Sequence, residues 1–253
     1  MEGKMSGHSK WATIKHKKGA ADKARGKLFA KLIRQVEVAA RQGGGDLDSN
    51  PTLRTMFQKA RDNSVPLDTI ERAIKRGTGE LEGVNYEPVT YEGYAPAGVA
   101  LLVETLTDNR NRTSSEIRNI FKKNGGSIAE PGAVAWQFER KGVVILPKSV
   151  SEDDIMLAAL DAGAEDLVDE GDTWRLTTAP SDLPAVREAL ETAGIAFDSA
   201  DVTMLATTTV PLDSAETARS VLRLMDALEE HDDVQDVYAN FDIPDDILQA
   251  VGT

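Results

Sequence analysis

The chain has no cysteine among its 253 residues, only three histidines and few aromatic side chains. Without cysteine it can form neither disulfide bonds nor thiolate metal sites, and it has no cysteine nucleophile. No apolar run approaches the roughly 18 residues of a membrane span, and the N-terminus lacks the apolar segment of a secretion signal. We therefore expect a protein of the reducing cytoplasm that does not enter a membrane.

Positive charge is missing from much of the chain because it is confined to one end. No lysine follows Lys148, and the formal net charge of the whole chain is −13. Residues 1–80 carry a net charge of +8, residues 81–150 of 0 and residues 151–253 of −21. Such sorting indicates separate modules, and a basic end on an acidic chain indicates a polyanionic partner. Nucleic acid is the partner that we expect.

The first 80 residues have the pattern of a basic arm followed by a small helical domain. From Met5 to Gly26, small, polar and basic residues show little apolar periodicity, which favours an arm or loop. Apolar residues then recur at helical spacing from Leu28 to Ala40. A second helix is predicted after Asn50, an N-cap followed by proline, and a third from Pro66 to Gly77.

Beyond a linker at 77–83 the pattern changes to strands alternating with helices. Strands are predicted at 99–106, 134–138, 143–146, within 202–210 and at 235–240, helices at 113–124, 152–162, 183–193 and 214–230, and a hairpin at 170–172. From residue 143 to residue 210 the order is β-α-β-β-α-β, which is typical of a ferredoxin-like sheet with two helices on one face. The last helix and strand have no partners of their own, so we expect them to return to the earlier sheet.

Three domains follow from this order of elements. Residues 1–80 form the basic arm and helical N-terminal domain. Residues 81–140 together with 211–253 form a discontinuous α/β domain. Residues 141–210 form an acidic ferredoxin-like domain inserted into it.

The cations of the N-terminal segment are the strongest candidates for a nucleic-acid site. Residues 1–34 hold ten Lys or Arg and two acids. Lysine and arginine neutralise phosphates, and Trp11 and His16 can stack on an unpaired base or pack on a groove wall. A solvated, flexible terminus is the alternative, but an acidic protein does not need ten cations for solubility. The predicted nucleic-acid-binding residues are Lys10, Trp11, Lys15, His16, Lys17, Lys18, Lys23, Arg25, Lys27, Lys31 and Arg34.

A second candidate anion site lies between a predicted strand and the helix after it. Arg110 and Arg112 stand beside the helix start, whose free N–H groups attract anions. An equally good interpretation is that Asn111 or Thr113 caps the helix and that Asp108 pairs with an arginine. The basic surface continues along the helix through residues that are ordinary exposed positions by default, namely Arg118, Lys122 and Lys123.

Motifs for metals, cofactors and catalysis are lacking in the sequence. Residues 46–50 begin like a calcium loop, but Pro51 replaces the required glycine and Phe57 occupies the position of the bidentate glutamate. The chain has no nucleophile elbow and no phosphate loop ending in Gly-Lys-Ser/Thr, and its histidines lack metal-ligand spacing. We therefore expect no cofactor, no metal and no catalytic residue. A hydrolase whose site is assembled from distant residues is an outlying alternative.

Four separated segments resemble the YebC/PmpR family. They are, in order, GHSKWATIKHKK at 7–18, GKLFAKLIR at 26–34, YEGYAPAGVALLVETLTDNRNRT at 91–113 and NGGSIAEPGAVAWQF at 124–138. The resemblance implies an α+β fold: a basic three-helix N-terminal domain plus two ferredoxin-like α/β domains, one inserted into the other. Ala95 and Ala97 stand where the family often has glycine, so we expect the loop to differ slightly there.

The resemblance also implies a non-enzymatic regulator of gene expression. Family members are described as DNA-binding transcriptional regulators, and relatives, one of them mitochondrial, as translation factors that act on ribosomes stalled at proline-rich stretches. Charge cannot separate a DNA target from ribosomal RNA, because phosphates look alike to lysine. No recognition helix with a base-reading set stands out, and a glycine-punctuated basic arm suits folded RNA. Both functions therefore remain open with nearly equal support.

Overall fold

The described chain begins with three helices: α1 (Asp22–Gly43), α2 (Pro51–Asp62) and α3 (Leu67–Thr78). The structure is a computed structural model, and it describes residues 22–244, 247, 250 and 251. The predicted cap of α2 is present, because Asn50 Oδ1 accepts a hydrogen bond from the Leu53 N–H at 3.0 Å. Helix α1 is already formed at residue 22, earlier than predicted. Lysine, alanine and arginine favour helix, and they outweigh the single Gly26.

Apolar faces of the three helices meet in one core, centred on Leu32, Val36, Leu53 and Ile70. Glu37 is also buried there, at 3% exposure. Its carboxylate accepts hydrogen bonds from Arg76 Nε at 2.9 Å and from Arg41 Nη2 at 3.2 Å. The charge is thereby compensated, and it ties α1 to α3.

The first sheet is antiparallel, with strand order β3-β1-β2-β9. Its elements are β1 (Glu87–Tyr94), β2 (Ala100–Thr107), helix α4 (Arg110–Lys123), β3 (Ser127–Ile128), helix α7 (Ala215–Glu229) and β9 (Val234–Ala239). Leu101 and Val103 face the helices, where they pack with Phe121 and Leu224. The sequence pattern missed β1, because its first half is largely exposed and lacks apolar alternation.

The second sheet is also antiparallel, with strand order β5-β6-β4-β7. Its elements are β4 (Phe138–Pro147), α5 (Glu152–Ala159), β5 (Ala164–Asp169), β6 (Thr173–Thr178), α6 (Leu183–Thr192) and β7 (Ser199–Ala206). This is the predicted β-α-β-β-α-β unit with its hairpin at 170–172. The spatial arrangement of the first sheet is similar, although there a hairpin, β1 to β2, comes first in the chain.

The fold class is therefore α+β, with an N-terminal helical unit and two ferredoxin-like sheets, the second lying between the parts of the first. A short parallel pair, β8 (Val210–Pro211) with β10 (Phe241–Asp242), forms where the chain re-enters the first unit. Within the part of the chain that the structure describes, no helix combines the length and apolarity needed to cross a membrane.

The predicted strand at 134–138 is wrong, because Ala135–Gln137 form a 3-10 turn and β4 begins only at Phe138. The apolar residues alternate here as they do in a strand, yet Trp136 is 69% exposed. The backbone of this turn is held by a carboxylate instead of by a neighbouring strand.

That carboxylate belongs to Glu92 of β1. It accepts hydrogen bonds from the backbone N–H groups of Gly132 at 2.6 Å, Val134 at 2.7 Å and Ala135 at 2.9 Å. Burial by itself would raise the pKa of Glu92, but the three hydrogen bonds outweigh burial and lower the pKa. Such a long-range anchor has no signature in the local sequence.

The turn between β1 and β2 keeps a left-handed backbone at Ala97, where φ is 62°. A hydrogen bond from the Ala95 N–H to Val99 O at 2.8 Å closes this turn. Left-handed backbone costs an L-residue other than glycine about 1–2 kcal/mol. Alanine at position 97 is therefore strained.

We predict that Ala97→Gly raises the free energy of unfolding by about 1 kcal/mol, because glycine adopts positive φ without that strain. Ala95→Gly is the matched control, since Ala95 is buried and has an extended backbone with φ −81°. It should lower the free energy of unfolding by about 1 kcal/mol. Urea unfolding measures both, and effects of equal sign would contradict the assignment of strain to Ala97.

Candidate nucleic-acid interface

The predicted site residues divide into those outside and those inside the described part of the chain. Lys10, Trp11, Lys15, His16, Lys17 and Lys18 lie outside the described residues, as does the side chain of Lys23. Their role stays a prediction. The described cations are Arg25, Lys27, Lys31 and Arg34 on α1 and Arg110 and Arg112 on α4.

Two of the α1 cations, Lys27 and Lys31, cap the C-terminal end of α7, and Arg34 contacts the loop that follows it. The last carbonyl groups of a helix lack partners within the helix and carry the negative end of its dipole. The contacts, each with a main-chain oxygen, are Lys27 Nζ to Glu230 at 2.8 Å, Lys31 Nζ to Glu229 at 2.9 Å and Arg34 Nη1 to Asp232 at 2.7 Å. These donors are thus already engaged within the chain. Arg25 instead lies 5.5 Å from the centre of the Phe29 ring.

Asp233, in the loop between α7 and β9, joins α1 to α4. Its carboxylate accepts hydrogen bonds from Arg34 Nη1 at 3.2 Å, Arg112 Nη2 at 2.7 Å and Thr113 Oγ1 at 2.6 Å. Burial would raise the pKa of Asp233, but the bonds from Thr113 and Arg112 and the nearby charges of Arg112 and Arg34 outweigh burial and lower the pKa. Arginines of both predicted sites therefore meet at one carboxylate.

Lys27, Arg34 and Arg112 line one open cleft of about 560 Å³. Five acids line the same cleft: Asp108, Glu116, Glu230, Asp232 and Asp233. Since the acids outnumber the cations, the cleft repels phosphate.

Helix α4 begins at Arg110 rather than at the predicted residue 113. Its N-cap is Asn109, whose Oδ1 accepts a hydrogen bond from the Arg112 N–H at 3.1 Å. The two arginines thus lie inside the first turn, which contains no acid. Cations at this end oppose the helix dipole. The charge of Arg112 is compensated by Asp233 and by Asp108, whose Oδ1 lies 2.8 Å from Arg112 Nη2. Arg110, in contrast, makes no ion pair with any described residue.

The outer face of α4 is a basic surface whose cations form no ion pair with a described residue. Arg118, Lys122 and Lys123 are exposed there, and none of them forms an ion pair with a described residue. We call these three residues the α4 basic face. Neutral hydrogen-bonding side chains lie on the same side of the helix, namely Asn111, Ser115 and Asn119.

The single acid of α4 does not neutralise this face. Glu116 Oε2 lies 2.7 Å from His231 Nε2 and 3.9 Å from Arg112 Nε, on the side of the cleft. From sequence alone, these three cations are ordinary exposed helix positions. The missed signal is the lack of an acid three or four positions from Arg118, where a helical ion pair would form.

We predict that Asp233→Asn lowers the free energy of unfolding by about 2 kcal/mol, less than for a fully buried pair because Arg112 is 42% exposed. Asp232→Asn is the control: its side chain is 75% exposed, and the change should cost under about 0.5 kcal/mol. Because the pKa of Asp233 is lowered by folding, its contribution is present above the ordinary aspartate pKa of about 3.9 and is lost below it. Urea unfolding from pH 3 to 7 checks this, and a pH-independent difference between wild type and Asp233→Asn would refute it.

Two family models match the chain. The one described as "TACO1/YebC protein N-terminal domain" matches residues 9–80, and the one described as "TACO1/YebC second and third domain" matches residues 86–241. A crystal structure of a conserved hypothetical protein from Aquifex aeolicus is similar at a TM-score of 0.79 and 49% identity, covering 89% of this chain and 93% of that one.

Similar proteins named "Probable transcriptional regulatory protein" cover nearly the whole chain. One from Halothermothrix orenii is 57% identical over 250 residues, covering 98% of this chain and 99% of its own length. One from Thermobifida fusca is 59% identical over 249 residues, covering 98% of this chain and 100% of its own length. Together with the two family models, these matches show that the chain belongs to the TACO1/YebC family, a family of regulatory proteins.

Proposed function

We propose that the protein is a non-catalytic, cytoplasmic regulator of gene expression that binds nucleic acid, with DNA as its target. The α4 basic face carries this proposal. It presents three cations without ion-pair partners among the described residues, on a chain whose net charge is −13. The names of the relatives support regulation of transcription.

Phosphate neutralisation is the physical basis of the proposed binding. Lysine and arginine displace condensed counterions from the backbone, and asparagine and serine donate hydrogen bonds to phosphate and sugar oxygens. The α4 basic face supplies the cations, and Asn111, Ser115 and Asn119 on the same side of the helix supply the neutral side chains. The arm at residues 1–21 adds further cations, and about six phosphate contacts would give a log–log salt slope of about −5 on duplex DNA.

Ribosomal RNA is the second candidate target. The composition of the arm favours it, since a glycine-punctuated basic segment with Trp11 and His16 can follow folded RNA and stack on unpaired bases. In that case the protein would be a translation factor that relieves stalling at proline-rich stretches. The same cations would contact phosphates in both cases, so only the target differs.

The arm is tested by changing Lys15, Lys17 and Lys18 together to glutamate. We expect the variant to lose co-sedimentation with ribosomes or binding to duplex DNA at physiological salt, whichever the wild type shows, because three phosphate contacts become repulsive. If neither interaction weakens, the arm is not the nucleic-acid site. Wild-type sedimentation that survives DNase, with only micromolar and salt-sensitive duplex binding, would favour the ribosomal target over DNA.

The α4 basic face is tested by the double change Arg118→Gln and Lys122→Gln. We expect the salt slope of binding to fall in magnitude by about 2 and the affinity to fall about tenfold or more. The matched control is Arg61→Gln with Lys75→Gln, an arginine and a lysine that are likewise exposed on helices and form no ion pair with a described residue. Equal losses in the two double variants would mean that general charge, rather than this face, governs binding.

A further inference from the structure

The solvent side of α5 carries two exposed leucines. Leu157 is 86% exposed, and Leu160, the first residue after the helix, is 57% exposed. The Leu160 N–H still donates to Met156 O at 3.0 Å, so the helical turn continues through it. Residues three positions apart in a helix are neighbours on its surface. The two leucines therefore form one apolar patch, on the side of α5 away from the buried Ile155 and Ala159.

Folding of α5 does not require leucine at either position. The helix packs on the second sheet through Ile155 and Ala159, which lie in the core of that unit. Lysine, arginine, glutamine and glutamate favour a helix about as well as leucine does, so a charged side chain would serve equally at a solvent-facing position. Exposed apolar surface with a polar rim is typical of a protein interaction site.

Unpaired carboxylates form the rim of this patch. Asp153 and Asp161 stand four positions before and after Leu157, which brings both beside it. Both are exposed, and neither forms an ion pair with a described residue. Asp153 lies in the first turn of α5, where a negative charge favours the helix dipole. Asp161 follows the C-terminal end, where a negative charge opposes the dipole, so the stability of the helix does not account for it.

The inserted unit has no cation left for these carboxylates. Residues 141–210 contain 14 acids and four cations. Each cation pairs with another acid: Lys141 with Glu165 at 2.8 Å, Lys148 with Asp169 at 2.8 Å, Arg175 with Glu170 at 2.6 Å and Arg187 with Asp62 at 2.7 Å. The negative charge around the two leucines is therefore compensated only by a cation from outside the unit.

We propose that this face of α5 docks a basic amphipathic segment of a partner protein. Apolar side chains of the segment cover Leu157 and Leu160, and its lysines or arginines pair with Asp153 and Asp161. We call these four residues the α5 patch.

Charge selects this occupant over others. The carboxylates of the α5 patch repel nucleic acid and anionic lipid headgroups. A second copy of the chain that packed through the same face about a two-fold axis would set like charges against each other. A basic protein segment satisfies both the apolar surface and the carboxylates.

This contact is separate from the proposed binding of nucleic acid. The α5 patch shares no residue with the α4 basic face or with the arm. Basic segments are common in proteins that themselves bind nucleic acid. A partner of that kind would hold the acidic unit while the basic surfaces of the chain contact phosphates.

The test uses a synthetic helix-forming peptide of about fourteen residues, with leucines along one face and lysines on the others. Calorimetry of the full chain at physiological salt should give saturable binding with a Kd of about 10–100 μM. Leu157→Gln with Asp161→Asn should weaken binding about tenfold or more, because it removes the centre of the patch and one carboxylate. The matched control is Leu67→Gln with Glu71→Gln on α3, an exposed leucine and an exposed glutamate at the same spacing. It should bind like the wild type.

Two further peptides separate the apolar contribution from the charge. One has serine in place of leucine, the other glutamate in place of lysine, and both should bind at least about tenfold more weakly than the first peptide. The proposal is overturned if the first peptide does not bind below about 1 mM, if the serine peptide binds equally well, or if the two double variants lose equal affinity.

The remaining measurements exclude other causes. Circular dichroism and the midpoint of thermal unfolding establish that the variants are folded. A dimer in sedimentation that the Leu157→Gln, Asp161→Asn variant dissociates would overturn the proposal in favour of a second copy of the chain. Nucleic-acid binding should be unchanged in this variant, and peptide binding should be unchanged in the arm and α4 variants. Failure of this proposal is thereby distinguished from failure of the proposed function.

Discussion

The carboxylate of Asp233 is the point on which the arrangement of the helical unit depends. It holds Arg34 of α1 and Arg112 and Thr113 of α4 in one partly buried set of hydrogen bonds. The same contact compensates an arginine that would otherwise oppose the dipole of α4. With α1 held there, its lysines reach the carbonyl groups at the end of α7. One acid thus determines which basic groups face inward.

This internal pairing changes what a polyanion would meet. Lys27, Lys31 and Arg34 of α1, which look available in the sequence, contact the acidic C-terminal part of the chain. The three cations of the α4 basic face form no ion pair with a described residue.

Prediction from sequence succeeded where local patterns are strong. The Asn50 cap, the hairpin at 170–172 and the β-α-β-β-α-β order are confirmed, because the cap and the hairpin depend on residues close together and each element of the unit has its own local periodicity. It failed where distant groups decide. Glu92 turns a segment with strand-like alternation into a 3-10 turn, and the exposed β1 finds its place only through pairing with β2.

The sequence alone determined the sorting of charge, the family resemblance with the fold class that it implies, and the order of elements apart from the short β3, the exposed β1 and the turn at 135–137. These follow from composition, from motifs within short segments and from spacing over a few residues. Only the tertiary structure decided which cations remain available. Arg34 and Asp232 are 198 positions apart, and Arg112 and Asp233 are 121 apart. Contacts of such separation arise from the packing of units against each other, and no short pattern encodes them.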